Sequence, residues 1–491
     1  MRHSTLSEHL FKKGKFITPM NSIPSIQELS DEKSWTYGRM PDYLWIGLIL
    51  QQFERNKGLE KLLDIISKLH ELAPKLNTAR MSEILKLDFF IQQKFYDYII
   101  KIGLKKSFSP LTIFLTSSKA PIFAKNFYCT EENIENRCSL LIETMQKIMN
   151  HQSHEATDIR FIALYFNLLS GNIHLLESQI DSLVMYPLLT HTEEMMRSIR
   201  PTIRCLEMMI LQFEKTNLEY LQLFWRCISE MTECSTYSVE FPEETRNISS
   251  YMENLYEIFS YLSELYISSS PLDEKMKVLL GITTYSYKRM KEAYEHNLFN
   301  SISGRSCVRI LIENYIMIKY LVKNESSHEN IWKDYQLYGL GQYKLILARS
   351  RENSVSKESH FDAMYIEALI NEFKGEEFID MDTKYFDKHN IRLKAEVVDE
   401  KILYGLYYDY DSAFEHGLWG AIRESSLLKC DNPAHKYHCV PDIDDINRLK
   451  TVLPDCIMIM NKTINFLDEL YGIPEELLNE VVNFEIKPIV K

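Results

Sequence analysis

Leu59–Leu72 reads LEKLLDIISKLHEL, and it places Leu62, Ile65, Ile66, Leu69 and Leu72 on one stripe. Steps of three and four are the period of an amphipathic α-helix. Ser139–Met149, Asp158–Leu169 and Met208–Met231 repeat the pattern, and Pro and Gly fall mostly between such segments, at Pro41, Pro110, Pro121, Gly171, Pro187 and Pro201. The spacing predicts an all-α protein. One departure is Asn390–Val398 (NIRLKAEVV), whose alternation predicts a short strand or an extended connection. No sequence repeat at the periods of helical arrays, about 33–47 residues, is present, so a solenoid is not expected.

Composition agrees. Only 15 Gly and 15 Pro occur in 491 residues, where average usage is roughly 7% and 5%. So few turn-formers argue against sandwiches, barrels, propellers and collagen-like or disordered arrays. The length exceeds the roughly 250–300 residues at which a single core stops growing, so two lobes are expected. The best boundary is Ser268–Ser269–Ser270–Pro271, where Ser270 suits a helix cap, Pro271 its first turn and Asp273 the third position of a capping box. This predicts an irregular arm over 1–30, carrying Lys12, Lys13 and Lys15, a helical lobe over 31–269 and a second over 270–491. A continuous helical body is the alternative.

The net charge of −13 counts against coating nucleic acid through one broad basic face, though it leaves room for a small local site. No apolar run approaches the roughly 18 residues that span a bilayer; the densest patch is Tyr43–Leu50, YLWIGLIL. The start, MRHSTLSEHLFKKGKF, lacks the apolar stretch of a secretory signal. Nine cysteines, spread from Cys129 to Cys456, form no disulfide framework and suit a reducing compartment. A soluble cytoplasmic protein with no membrane partner is expected.

The Trp-rich turn and apolar helix of Ser34–Leu50 read as a packing anchor. In the second half, Arg305–Leu321 (RSCVRILIENYIMIKYL) stacks Arg305, Arg309 and Glu313 on one helical face, where Arg309 and Glu313 are spaced to pair. That face is either a helix-tying ion pair or the wall of a site. Trp332–Lys344 (WKDYQLYGLGQYK) adds Trp332, Tyr335, Tyr338 and Gln342 at helical spacing. Its Gly-Leu-Gly lacks the ending of a phosphate loop and the third glycine of a dinucleotide site, so no cofactor is assigned; paired glycines in a helix read as close packing.

Polar chemistry is densest in Lys401–Pro441 (KILYGLYYDYDSAFEHGLWGAIRESSLLKCDNPAHKYHCVP). Tyr408, Ser412, His416 and Arg423 share a face of a helix expected to stop near Lys429, with Trp419 close by. The following loop carries Asn432, His435 and His438. Three readings compete. A metal site would draw on Cys430, His435, His438 and Cys439, whose types suit zinc, but C-x4-H-x2-H-C is not the spacing of common structural sites, and adjacent His438 and Cys439 are awkward partners for one tetrahedral ion. No metal is assigned. A metal-independent ribonuclease would use a histidine base and an arginine on the phosphate. The HEPN motif runs Arg to His with four to six residues between, a spacing met at Arg2/His9 and Arg289/His296, as often as chance provides, and His416/Arg423 runs in reverse. The third reading is structural, with the histidines satisfied by local hydrogen bonds.

GRSCVRILIENYIMIKYL, WKDYQLYGLGQYKL and the DSAFEHGLWGAIRESSLLKCDNPAHKYHCVPD stretch resemble a bacterial family of all-helical proteins known only as a domain of unknown function. The motifs carrying the resemblance are Gly304-Arg305 with Arg309 and Glu313, Tyr338-Gly339-x-Gly341-Gln342-x-Lys344, His416-Gly417-x-Trp419-Gly420-Ala421-x-Arg423, and Asn432-Pro433-x-His435-x-x-His438-x-x-Pro441. The resemblance implies an intracellular bacterial protein, some relatives of which are candidates for defence or toxin roles. It implies no established activity. Where relatives carry a basic residue this chain has Cys439, which weakens the four-ligand metal reading.

The expectation is a two-lobed all-α protein whose second lobe binds or cleaves a phosphate-bearing ligand, RNA or a nucleotide, in stress or phage defence. His416 would be the base, Arg423 the phosphate contact and His435 or His438 the acid. Arg309, Glu313, Gln342, Trp419 and Asn432 would bind the ligand. The rival is a non-enzymatic scaffold with a protein partner or a second copy of the chain.

Overall fold

Side chains that accept backbone N–H groups set the helix starts. Ser34 accepts from Tyr37, Asn133 from Asn136, Ser153 from Ala156, Asn217 from Tyr220 and Ser301 from Gly304. Each satisfies one donor that the first helical turn leaves open. The computed structural model describes residues 5–19, 34–173, 177–210, 215–241, 248–269, 273–353, 356, 358–381, 386–387, 389–436 and 438–484. The fold is all-α with small β additions. A hairpin pairs β1 (Leu10–Lys12) with β2 (Lys15–Ile17), so this part of the amino-terminal arm is regular rather than irregular. A second sheet has the order β3 (Thr236–Tyr237), β4 (Leu427–Cys430), β5 (Cys439–Pro441).

The chain forms two compact units, one of residues 1–237 with 429–440 and one of 238–428 with 441–491. In the first, the Met40–Leu50 helix is buried from Met40 to Ile49, as its apolar run Tyr43–Leu50 requires, and its buried Asp42 accepts from the Ser82 N–H. Around it lie Arg55–Leu72, Ile134–Ile148 and His154–Leu169. Leu62, Ile65, Ile66 and Leu69 of the expected stripe are fully buried, each contributing about 1.5–3 kcal/mol by leaving water. Trp35 anchors the entry turn by donating Nε1–H to the Ile148 carbonyl at 2.7 Å.

In the second unit, Ile302–Asn324 is the central helix and packs on Glu274–Glu295, Asp409–Glu415 and Leu453–Tyr471. Val308, Leu311, Ile312, Ile316 and Leu321 supply its buried face. No helix among the described residues is long and apolar enough to cross a membrane.

Several local expectations are corrected. Residues 391–397 form a helix, Ile391–Val397, because Asn390 caps it by accepting from the Leu393 N–H. Met208–Met231 is not one helix: Met196–Ile210 precedes it, and Asn217 caps a new helix, Leu218–Glu230. Pro201 lies inside the first of these rather than between segments. Asp273, not a more distant residue, caps Glu274–Glu295 by accepting from Met276; Ser270 and Pro271 lie outside the described residues. The Ile331–Glu352 helix runs through Gly339, where a Cβ would meet nothing, so that glycine serves no close packing.

Candidate functional site

In the second unit, the central helix delivers Arg309 and Glu313 to one polar cluster. Arg309 donates Nε–H to Ser412 Oγ at 3.1 Å and Nη2–H to the Tyr408 hydroxyl at 2.9 Å, and its guanidinium lies 4.9 Å from the centre of the Tyr408 ring. Tyr408 in turn donates to Glu313 Oε2 at 3.2 Å, and Arg309 lies 3.6 Å from the same carboxylate. Burial, then the Glu313 charge, pushes the Tyr408 hydroxyl up to about 12. The charges are thus matched within the cluster, as half-buried charges must be. Arg305, one turn earlier, turns elsewhere: it donates to the Lys450 carbonyl at 3.0 Å and lies over the rings of Tyr410 and Phe414.

His416 does not continue this face to Arg423. The helix ends at Glu415, His416 is its C-cap and Gly417 takes a left-handed backbone (φ 56°) that L residues disfavour. A new helix, Trp419–Ser425, then carries Arg423, whose Nη1–H closes that helix on the Leu427 carbonyl at 3.1 Å. His416 and Trp419 are exposed, Trp419 at 69%. Gln342 lies on the Ile331–Glu352 helix.

Asn432, His435 and His438 belong to the first unit. There β4 pairs with β3, Thr236 opposite Cys430, while Asp431 N–H donates to Ser235 O and Asn432 Nδ2–H to Glu233 O, both at 2.9 Å. Asn432 Oδ1 accepts from Ala434 N–H and so starts the Pro433–His435 turn. This register brings Cys234 against the histidines. Its Sγ lies 3.5 Å from His435 Nδ1 and 3.3 Å from His438 Nε2, and Cys430 Sγ lies 3.7 Å from His435 Nδ1. The four donor atoms are within 4.8 Å of one another. His435 Nε2 lies 3.0 Å from the Thr232 carbonyl and 3.1 Å from its hydroxyl, so both ring nitrogens are engaged. Cys439 is not in this group.

A cavity of about 420 Å³ adjoins the cluster, lined by Trp225, Arg226, Ser229, Lys436 and His438 among others. Lys436 sits at the left-handed end of the Pro433–His435 turn (φ 56°), with its ammonium 5.0 Å from the centre of the Trp225 ring. The residues expected to share one site therefore fall into two groups. Arg309, Glu313, Gln342, His416, Trp419 and Arg423 lie in the second unit, and Asn432, His435 and His438 in the first.

Residues 277–435 match the model of a family of unknown function, DUF5677. No curated protein and no solved structure matches the chain. The DUF5677 match spans the Arg309–Glu313 cluster and both Trp419 and Arg423, and it runs into the first unit as far as His435. Lys436 and His438 lie just beyond the end of the DUF5677 match, and Cys234, Trp225, Arg226 and Ser229 lie outside it on a helix and turn about two hundred positions upstream. Sequence reading missed the upstream four because only the β3–β4 pairing brings them to the histidines. The one available signal was Cys234 itself, a cysteine in the polar turn MTECSTYS rather than on an apolar stripe.

Proposed function

We propose that this protein binds a phosphate-bearing ligand at the cavity beside Trp225 and Lys436, with single-stranded RNA the class its chemistry favours. The observation that carries the reading is the charge of the wall: Arg226 and Lys436 line it, and no carboxylate does among the described residues. In a chain of net charge −13, two cations at a concave surface reverse the local field and attract phosphate. Ser229 and His438 add hydrogen-bonding groups for phosphate oxygens. Single-stranded RNA suits a small concave cationic site better than a duplex, which needs a long basic face.

The proposal is binding, not cleavage. Cleavage as assigned to His416 and Arg423 needs His435 or His438 free to give a proton; His435 has both ring nitrogens engaged, and His438 Nε2 lies 3.3 Å from Cys234 Sγ. RNA cleavage that survives EDTA and disappears in His416→Ala would restore the ribonuclease reading. The stress or phage-defence setting is proposed on the family resemblance alone.

Fluorescence anisotropy with a short labelled single-stranded RNA tests the binding. Wild type is expected to bind, with affinity falling as salt rises by about 0.7 log units per log salt for each phosphate contact. Arg226→Glu and Lys436→Glu are each expected to weaken binding about tenfold or more and to lower that slope. Equal affinity in both variants, or no binding by folded wild type, overturns the reading.

A second reading, a protein-interaction role, rests on Leu418, Trp419 and Ile422, which are 55%, 69% and 37% exposed at the start of one short helix of the second unit. Exposed tryptophan beside aliphatic side chains is the composition of an interface centre. Sedimentation velocity of wild type against Trp419→Glu tests self-association through this patch; a concentration-independent monomer in both removes the homo-oligomer form of the idea.

A further inference from the structure

We propose that Cys234, Cys430, His435 and His438 bind one zinc ion in a closed tetrahedral site. The argument rests on the ligand atoms alone and is independent of the RNA reading above.

Zinc holds thiolate sulfur at about 2.3 Å and imidazole nitrogen at about 2.0–2.1 Å. Tetrahedral angles at those bond lengths set the ligand atoms about 3.3–3.8 Å apart. The three sulfur–nitrogen separations here, 3.3, 3.5 and 3.7 Å, fall in that range. Thiol–imidazole hydrogen bonds account for pairs of such atoms. They do not account for two sulfurs and two nitrogens all converging within 4.8 Å of one another.

The orientation of His435 supplies an independent reason. Its Nε2 faces the Thr232 carbonyl at 3.0 Å, and a carbonyl only accepts, so Nε2 carries the proton. Nδ1 is then the lone-pair nitrogen, and it is Nδ1 that points at both sulfurs. A backbone carbonyl fixing the tautomer of a ligating histidine is the usual outer support of a metal-bound imidazole.

Ligand chemistry selects the metal. Two sulfurs and two imidazole nitrogens suit zinc and exclude magnesium and calcium, which take oxygen. Two thiolates neutralise the dication, so the filled site adds no charge at a position where Cys430 and His435 are buried. Cys234 and His438 are exposed, which gives the ion a route in. With four protein ligands no position is left open for water or substrate, so the ion is structural. It would tie residues 429–440 to the Thr232–Cys234 turn of the first unit and hold Lys436 and His438 at the cavity wall.

Cys439 is the discriminating control. It is adjacent to His438 in sequence, but successive side chains of extended chain point to opposite faces, and it is not among the four donors. The full-length protein, purified under reducing conditions and desalted, is expected to carry about one zinc per chain by inductively coupled plasma mass spectrometry. After removal of that zinc, added Co²⁺ is expected to give the visible bands of tetrahedral cobalt with a sulfur-to-cobalt charge-transfer band. Cys234→Ser and His438→Ala, both at exposed positions, are expected to lose the zinc while keeping the wild-type circular dichroism, and Cys439→Ser to keep it. These two variants keep the test valid should the buried Cys430→Ser fail to fold. Zinc-free wild type that takes up neither Zn²⁺ nor Co²⁺ overturns the proposal. So does a Cys234–Cys430 disulfide in peptides from the reduced preparation, or equal zinc loss in Cys439→Ser.

Discussion

Cys234 Sγ stands 3.3 Å from His438 Nε2 across 204 positions of sequence. The approach is made by backbone: β3 and β4 set Thr236 opposite Cys430, and the Cys430 N–H donates to the His438 carbonyl at 3.0 Å. The chain leaves the second unit at 428, contributes twelve residues to the first and returns at 441. Three donors of the cluster, Cys430, His435 and His438, ride on that excursion and Cys234 does not, so its geometry reports whether residues 429–440 are seated.

A buried carboxylate shared by two arginines in the first unit yields the next expectation. Glu207 is 3% exposed and accepts from Arg39 and from Arg160 Nε at 2.7 Å, while those arginines are 3% and 1% exposed. One carboxylate therefore serves two buried guanidinium groups, and burial together with Arg160, Arg204 and Arg39 holds nearby His151 below its usual range. Glu207→Gln removes the carboxylate that Arg39 and Arg160 share. It is expected to cost about 3–5 kcal/mol, read as a lower urea midpoint, since breaking a buried ion pair from one side leaves buried charge less compensated. A midpoint within error of wild type would mean that water reaches these arginines.

Asp411 predicts a pH dependence with a definite sign. It is 3% exposed, and burial pushes its carboxyl up to about 7, opposed by Arg305 and assisted by the charges of Asp455 and Glu424. A folded value above the unfolded one means that the folded state holds the proton more tightly. Its stabilising share is thus complete below about pH 4 and lost as pH rises through about 7. The loss is at most about 4 kcal/mol, one pKa unit being about 1.4. Between pH 5 and 8 the urea midpoint of Asp411→Asn is expected to fall less than that of wild type. Parallel curves would assign the slope to another group, Asp455 first, since burial raises its value too.

What the sequence made legible follows from range. Apolar stripes such as Leu62–Leu69 and the Arg309–Glu313 pair are set by neighbours three and four positions away, and they appear as expected. Asn390–Val398 misled because its alternation is also compatible with a short helix, and the cap at Asn390 decides. The face running from Tyr408 to Arg423 held through Ser412 and ended where Gly417 turns left-handed. The metal reading named Cys430, His435 and His438 but took Cys439 as the fourth donor, since adjacency is visible in sequence and a strand pairing across two hundred residues is not.

Gly304 gives a prediction against the ordinary propensity order. A Cβ there would collide with the Leu298 carbonyl oxygen and press on that of Phe299. Neither oxygen is free to retreat: Leu298 O accepts from Ser301 N–H, and Phe299 O from Val452 N–H at 2.9 Å. Glycine to alanine inside a helix normally stabilises by up to about 1 kcal/mol. Gly304→Ala is expected to destabilise by about 1–3 kcal/mol, as overpacking does. A raised midpoint in urea would show that the loop before Ser301 shifts at no cost.

Lys394 and Asp387 supply a coupling test that distinguishes a pair from two independent residues. Lys394 is fully buried, its ammonium 2.6 Å from Asp387 Oδ1 and 4.0 Å from the centre of the Tyr320 ring. Burial lowers the lysine value, and Asp387 opposes that shift. Removing the carboxylate alone takes away the negative charge facing the ammonium, and a ring such as that of Tyr320 attracts it by only about 2 kcal/mol. Asp387→Ala is therefore expected to cost about 3–5 kcal/mol. In Asp387→Ala with Lys394→Met the buried charge is gone and the methionine fills the same space, so most of that loss should return. The double variant is expected to unfold at a higher urea concentration than Asp387→Ala alone. If the second substitution instead lowers the midpoint further, the ammonium is supported by the rings and backbone around it, and the ion pair is not what holds Lys394 in place.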